Sequence, residues 1–487
     1  MSRQLYMAGP GRIAVLHVSI SPFRFLMATS RRAAMVMATR AKKRRLEEEE
    51  KQERVDDFIS GLPDGILCDI VTLLPTRDGA RTQVLSSRWR HIWRSAPLNL
   101  DLPEPLRRSP ASDISRVLSA HPGPGRRFYV SYRRGLNHYS LDIDTMTLDG
   151  WLRSPAIDGL RELEILLDHY RCMAKLVSLP PSVLRFSTLA VASFESCVLP
   201  DCGATHWPHL KKLTLFSVTV SESSLHALLA GCSSIESLLL RDNRGFSRVK
   251  IVSPSLRSIG VSSIRGLDDD PRLRQLVIED APCLERLLFF DGLGIGISVI
   301  SAPRLDILGK LKGVGHMLQF GTTALQGSPV ASLTTVVPSV RVLALSHMKP
   351  CLDVVINLMK CFPHLENLHM KITHDGEENA WFDKYREPID IRLRKIVLAY
   401  FHDRKLHIEF AKFFVMNASV LESMTLELKH GSVGNDAWIR RQRRLLQDEE
   451  EDEDEEHLGC INNRLPEDAI SVIVSTISRS LIIDVKS

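Results

Sequence analysis

The sequence predicts an α/β chain in which a short segment of three helices precedes a long, irregular solenoid of strand-bearing repeats closed by a mixed αβ module. Three observations carry that expectation. At 487 residues the chain is too long for one ordinary compact core, and a repeat array is the architecture that grows without needing one. An apolar-x-x-apolar-x-apolar pattern returns from residue 160 to residue 426. Between residues 62 and 95, by contrast, the apolar residues adopt helical spacing.

The helical segment reads LPDGILCDIVTLLPTRDGARTQVLSSRWRHIWRS. Pro63 suits a helix start, where its missing N–H costs nothing, and Asp64 favours the positive helix end. Ile66, Leu67, Ile70, Leu73 and Leu74 then fall on one face. Pro75 stops this helix, Thr76 can cap a second from about Arg77 to Leu85, and Ser86 or Ser87 can cap a third. On that third helix Trp89, Ile92 and Trp93 share a side, while Arg88, Arg90 and Arg94 are solvated. Gly79 costs the second helix about 0.5–1 kcal/mol of propensity. Three such short helices cannot bury these apolar side chains among themselves. The surplus faces either a partner or the rest of this chain, and periodicity alone leaves both open.

The repeat pattern stands at Leu160/Leu163/Ile165, Phe186/Leu189/Val191, Leu210/Leu213/Leu215, Ile235/Leu238/Leu240, Leu256/Ile259/Val261, Leu284/Leu287/Phe289, Val340/Leu343/Leu345, Leu365/Leu368/Met370, Leu393/Ile396/Leu398 and Leu421/Met424/Leu426. Partial copies sit at Leu273/Leu276/Ile278 and at Leu305/Leu308. With one exception, successive starts lie 21 to 28 residues apart, the period of leucine-rich repeats, in which each strand sends alternate residues into a stacked core. Helical pieces such as residues 221–230 are expected to supply the outer layer. A regular repeat wants Asn or Cys eight places after its first apolar residue, and only Asn243 clearly fits. Uneven curvature is the consequence.

Leu62-Pro63-Asp64, the corner from Leu73 to Asp78 and the run from Val84 to Trp93 together resemble an F-box, in the form found in the large plant family of F-box, leucine-rich-repeat and FBD proteins. Residues 350–372 and 392–428 resemble that family's C-terminal FBD module: a helix, two strands, a helix from about Leu406 to Met416 and a last strand at Met424 to Leu428. The resemblance implies docking onto a Skp-type adaptor and, through it, a cullin-RING ubiquitin ligase. Carried over residue by residue, the adaptor-facing set is Leu62, Pro63, Ile66, Leu67, Ile70, Leu73, Leu74, Val84, Leu85 and Trp89, with Trp93 either contact or support. It divides the chain into a basic then acidic arm (1–54), the F-box (55–100), a linker leading into the repeats (101–150), the repeat region (151–345), the FBD module (346–430) and an acidic tail (431–487). Within that tail Leu465 to Val474 resembles the first helix of a second F-box, cut off before its Trp-containing helix.

Charge is unevenly placed. The net +5 is the sum of +10 over residues 1–46, about +4 over a long middle with 50 basic and 46 acidic residues, and −9 over residues 448–487. The first 40 residues have the composition of an organelle transit peptide or of an upstream extension, and Lys42-Lys43-Arg44-Arg45 suits nuclear import; nucleus or cytoplasm is the expected location. The nine consecutive acids from Asp448 to Glu456 read as a self-repelling linker. Nine cysteines, an odd number without dense spacing, argue for a reducing compartment. No apolar run is long enough to span a bilayer, so no membrane partner is expected.

Catalytic signatures do not match. The glycines at 292, 294 and 296 and the Gly309-Lys310-Leu311 triplet read as turns rather than phosphate loops. Cys197, Cys202, His206 and His209 read as repeat strand and turn rather than a zinc site. No cofactor or metal is expected. The expected function is a non-catalytic substrate receptor that holds the adaptor through the F-box and an unknown protein target through the concave face of the solenoid. The alternatives are a repeat scaffold outside any ligase, or a nucleic-acid-associated factor using the basic arm, which the near-neutral middle of the chain disfavours.

Overall fold

The computed structural model describes residues 59, 61–428 and 470–474, less the segments 103–109, 134–144, 169–175, 265–269, 291–294, 313–316, 326–335 and 374–390 and the single residues 204, 322, 349 and 403. The basic arm, the acidic run, and Gly292 and Gly294 lie outside the described residues. The chain divides into two compact units, residues 1–62 and 63–487. In the first, the Leu62 N–H donates to Ile59 O at 3.1 Å, and Leu62 is half-buried.

The second unit opens with α1 (Asp64–Thr72), α2 (Thr76–Arg81) followed by a 3-10 turn at Thr82–Val84, and α3 (Ser87–Ser95). The expected single helix from Arg77 to Leu85 is therefore two pieces, and Thr76 is not a cap but the first helical residue, with Pro75 before it. The chain then enters the sheet region through β1 (Leu98–Leu102), α4 (Pro110–Ala120), β2 (Gly125–Arg133), α5 (Thr145–Leu152), β3 (Glu162–Asp168), β4 (Val177–Ser178), β5 (Val191–Glu195) and β6 (Cys197–Val198). It continues through β7 (Lys212–Phe216), α6 (Glu222–Ala230), β8 (Ser237–Arg241), β9 (Arg248–Val252), β10 (Ser258–Ser262), β11 (Gln275–Asp280), β12 (Arg286–Phe289), β13 (Gly296–Val299), β14 (Ile307–Lys312), β15 (Met317–Phe320) and β16 (Thr323–Leu325). The last part is β17 (Val342–Met348), α7 (Leu352–Cys361), β18 (Asn367–Ile372), β19 (Lys395–Phe401), α8 (Lys405–Asn417), β20 (Ser423–Leu428) and β21 (Ile470–Val474).

Fourteen strands form one parallel sheet in the order β1-β2-β3-β5-β7-β8-β10-β12-β14-β17-β18-β19-β20-β21. Their register is set by one row of buried side chains, Leu163, Ala192, Leu213, Leu238, Ile259, Leu287, Leu308, Leu343, Leu368, Ile396 and Met424, each paired with its neighbour in the next strand. A strand shifted by one residue would turn this whole set to the opposite face. The second repeat is displaced from the sequence expectation. Its core residues are Leu189, Ala192 and Phe194 rather than Phe186, Leu189 and Val191, because Leu163 pairs with Ala192 and Ile165 with Phe194. Alanine at the central place hid the motif.

The outer layer also departs from expectation. α6 covers its repeat as predicted, with Ser221 Oγ accepting from the Ser224 N–H at 3.2 Å. From residue 248 onward the chain instead builds a second sheet, ordered β16-β15-β13-β11-β9, which buries Val249, Ile251, Leu276, Ile278, Ile297 and Val299. The half-length copy at Leu273/Leu276/Ile278 is thus an outer strand. Gly309-Lys310-Leu311 lies within β14 rather than in a turn; the ladder bulges between Leu308 and Leu311, and Lys310 takes a positive φ of 58°.

Two features repeat along the strand ends. Ser196, Ser217 and Asp242, each just after its strand, share the left-handed conformation, with φ of 54°, 52° and 54°. Just before the strands, oppositely charged side chains face each other across neighbouring repeats: Lys211 Nζ to Glu236 Oε1 at 3.1 Å, Arg257 to Glu285 at 2.6 Å, Arg341 to Asp306 at 3.8 Å and Arg394 to Glu422 at 3.0 Å.

The FBD-like elements match the expected helix, strands and second helix, but β17 to β20 continue the same sheet, and β17 straddles the expected boundary at residue 346. Of the expected helix at Leu465 to Val474, residues 465–469 lie outside the described residues, and residues 470–474 are corrected to a strand, β21, parallel to β20 with Met424 opposite Ile470 and Leu426 opposite Val472. Ile470, Val472, Ile473 and Val474 are β-branched and suit a strand.

Asn243 is buried and ties two repeats, its Oδ1 accepting from the Val218 N–H at 2.9 Å and its Nδ2 donating to Leu215 O at 3.0 Å. Replacing it with Ala strands both backbone groups without water. The expected loss is about 2–4 kcal/mol of unfolding free energy, measured by urea titration.

Candidate adaptor-docking site

The three N-terminal helical pieces of the second unit sort their apolar residues into two faces. Leu67 and Val71 of α1 and Trp89 and Ile92 of α3 are buried, forming a small core inside the segment. Asp64 accepts from Arg88 Nε at 2.6 Å, joining the first turns of α1 and α3 across an exposed pair that contributes little on its own. Outside that core stand Ile66 (47% exposed), Ile70 (38%), Leu73 (73%), Val84 (84%) and Leu85 (66%). These five, out of thirteen exposed large apolar residues among those described, fall within a stretch of twenty residues. A scattered surface leucine needs no explanation, but such a concentration on one short segment does.

The predicted set is thereby divided. Pro63, Ile66, Ile70, Leu73, Val84 and Leu85 are exposed, and Leu74 is half-buried. Leu67 and Trp89 do not face outward: a three-piece bundle needs an interior, and these two residues supply it. Leu62 belongs to the first unit and is described there.

Trp93 is half-buried and packs inside the fold. Its ring lies where a side chain at position 79 would project, since a Cβ on Gly79 would come within 2.5 Å of Trp93 Cζ3. Gly79 is therefore required by packing, and its propensity cost is offset by the tryptophan it admits. The other side of Trp93 meets the His121 ring edge-on, with centroids 5.3 Å apart, and His121 Nε2 lies 3.2 Å from Trp93 O. His121 Nδ1 accepts the Gly123 N–H at 3.0 Å, so Nε2 carries the proton and donates to the carbonyl. Burial holds this imidazole below its usual pKa, against the smaller opposing effect of that carbonyl.

A second tie anchors the α1–α2 corner. Asn99 of β1 donates through Nδ2 to Thr72 O, and Asn99 O accepts from Thr76 Oγ1. A cleft of about 270 Å³ opens beside it, lined by Leu73, Leu74, Pro75, Asn99, Arg127 and others. Asn99 lies at the very end of the F-box and His121 beyond it, and nothing in the sequence marks either; both roles arise from the fold.

Elsewhere, Cys197 and Cys202 are buried, and burial pushes their thiols up to about 12 and about 11. Such thiols stay protonated and pack as small apolar groups. Among the described residues, no three His, Cys, Asp or Glu side chains group as metal ligands, and no helix is long and apolar enough to cross a membrane.

A helical segment of this kind feeding a parallel repeat sheet defines an F-box and leucine-rich-repeat protein. Residues 59–101 match the F-box domain family, and residues 148–370 match the family described as FBD-associated F-box protein At5g56370, LRR repeats. The FBD-associated F-box protein At1g66310 of Arabidopsis thaliana is 30% identical over 243 residues, 48% of this chain and 52% of its own. The F-box/FBD/LRR-repeat protein At5g56420 of the same plant is 30% identical over 241 residues, 46% of this chain and 55% of its own. A third Arabidopsis relative, the FBD-associated F-box protein At5g27750, is 26% identical over 431 residues, 76% of this chain and 92% of its own. The match spans about half the length of the first two. The chain thus carries an F-box domain and FBD-associated leucine-rich repeats, and its Arabidopsis relatives are named for the same combination.

Two outcomes follow from the packing. Gly79→Ala, which helix propensity alone would favour, destabilises by about 1–3 kcal/mol in chemical denaturation because Trp93 must move. His121 has a folded pKa below its unfolded value of 6.5, so the unfolded chain binds more protons in the window just under that value. The stability it contributes is complete above pH 6.5 and is lost as pH falls through the folded value; urea midpoints of the parent and of His121→Gln, compared between pH 7.5 and 5.5, should converge on acidification.

Proposed function

We propose that this protein is a non-catalytic substrate receptor of a Skp–cullin–F-box ubiquitin ligase, with the F-box holding the adaptor and the repeat sheet holding a protein target. The observation that carries this reading is the exposure of Ile66, Ile70, Leu73, Val84 and Leu85 on a segment whose own core is already filled by Leu67, Val71, Trp89 and Ile92. Burying a large aliphatic side chain completely is worth about 1.5–3 kcal/mol. Five partial burials supply several kcal/mol against the entropy of association. No reacting group is needed on this chain, because a receptor accelerates ubiquitin transfer by raising the effective concentration of target near the charged enzyme.

The test separates surface from core. Ile66→Asp combined with Leu85→Asp should abolish co-purification with a Skp-type adaptor while leaving the thermal midpoint within about 2 °C of the parent, since both sites are solvent-facing. Leu67→Asp should instead unfold the helical segment, because it buries a charge. Undiminished adaptor binding by the surface double variant would sink this interface.

A further inference from the structure

The cleft beside the α1–α2 corner lies where the helical segment meets the sheet, and a break in the β1–β2 ladder shapes one of its walls. Leu98 pairs with Gly125 and Asn99 with Arg127, so Arg126 is an extra residue with no partner across the ladder. A bulge of this kind bends its strand and turns a side chain out of the regular alternation. Here the bulge is held from both sides. The Leu98 N–H donates to Pro124 O at 2.8 Å, and Arg126 O accepts from the Arg161 N–H at 2.9 Å. A Cβ on Gly125 would lie 2.6 Å from Ile157 Cα, so only glycine lets β2 start this close to the turn at Pro155–Ile157.

Arg126 and Arg127 both line the cleft, and their charges are met differently. Arg127 pairs with Glu162 at 3.5 Å and with Glu164 at 2.8 Å. Arg126 is half-buried and has no ion pair or side-chain hydrogen bond among the described residues. The remaining lining includes Leu73, Leu74 and Pro75. Leu73 and Pro75 are exposed, and Leu73 also belongs to the apolar face that carries Ile66 and Ile70. The exposed apolar face of α1 therefore runs into the cleft and ends beside a cation. At about 270 Å³ the cleft admits a few side chains, and it falls below the range of about 300–1,000 Å³ that small-molecule pockets occupy.

We infer that this cleft is a second point of attachment for the adaptor, reaching beyond the F-box, where an Asp or Glu side chain of the adaptor enters beside Leu73 and meets the Arg126 guanidinium. This deepens the receptor reading above and rests on it for the identity of the partner. Charge complementarity and continuity select the occupant. A half-buried guanidinium with no counter-charge favours a carboxylate over a neutral or basic group, and the planar fork of arginine can hold both carboxylate oxygens. Whatever covers Leu73 stands at the mouth of the cleft, so the same partner supplies both the apolar cover and the acid. A small free anion would gain nothing from Leu73 and Pro75. Arg126 is then a residue that selects among adaptors according to whether an acid stands at that place.

The experiment titrates a purified Skp-type adaptor into the full chain by calorimetry, for the parent and for Arg126→Lys, Arg126→Gln, Arg126→Glu and Arg304→Glu. Affinity should fall in the order parent, Arg126→Lys, Arg126→Gln, Arg126→Glu, the last binding roughly tenfold or more weakly. Arg304→Glu makes the same change of charge at an exposed site between β13 and β14 and should bind like the parent. The Arg126→Glu deficit should shrink between about 50 and about 500 mM salt because it is electrostatic, whereas the loss in Ile66→Asp with Leu85→Asp should persist. The thermal midpoint of Arg126→Gln should stay within about 2 °C of the parent. Equal affinity of parent and Arg126→Glu, an equal loss in Arg304→Glu, a salt-independent deficit, or a midpoint lowered further than that would each overturn the proposal. An adaptor that binds the parent, is lost on Ile66→Asp with Leu85→Asp and ignores Arg126→Glu removes this inference and leaves the receptor reading standing; an adaptor that does not bind the parent removes both.

Discussion

The parallel register of the main sheet is the constraint on which everything else depends. Each repeat contributes one buried residue to the row from Leu163 to Met424, and no repeat can bury its own apolar face without a neighbour on each side. The flanking rows of turns and charges follow from that stacking. Asn243 can satisfy Val218 and Leu215 only because β7 and β8 are in register, and Lys211, Arg257, Arg341 and Arg394 meet opposite charges for the same reason. The other face of the sheet inherits its arrangement too: Arg241 reaches Phe216 because their strands pair residue for residue.

Sequence reading captured the parts whose physics is local and periodic. Leucines at fixed spacing announced nine of the ten core triplets, and the proline, acid and tryptophan pattern announced three helical pieces. It failed where the deciding contact lies far along the chain. Ala192 is too small to register as a repeat residue, yet its pairing with Leu163 fixes the second repeat. Gly79 looks like a weak helix residue until Trp93 is seen to occupy the space beside it. The outer strands from Arg248 onward carry the same kind of apolar spacing as the inner ones, so pattern alone could not say which sheet they joined. Residues 470–474 show the opposite failure: a likeness to a helix start gave way to β-branched residues beside an available sheet edge.

The N-terminal helical segment was legible as a motif but not as a surface. Eleven residues carried over by resemblance mix two jobs that only burial separates. Leu67 and Trp89 hold the segment together, whereas Ile66, Ile70, Leu73, Val84 and Leu85 are left facing water. Because the first group determines whether the second is presented at all, substitutions in either can remove the exposed patch, and only a stability measurement distinguishes them.

The join between this segment and the sheet has a mechanical meaning. Asn99 grips the α1–α2 corner, and the Trp93–His121 contact braces α3, so the helices are fixed to the first strands at two points rather than hung on a tether. From β1 the sheet proceeds without interruption, and at about 4.8 Å per strand β8 lies on the order of 24 Å along it. Such a bracket behaves as a rigid spacer, so inserting or deleting one repeat would shift every later strand by a fixed step relative to the helices. Distance is then written into the chain as a number of strands.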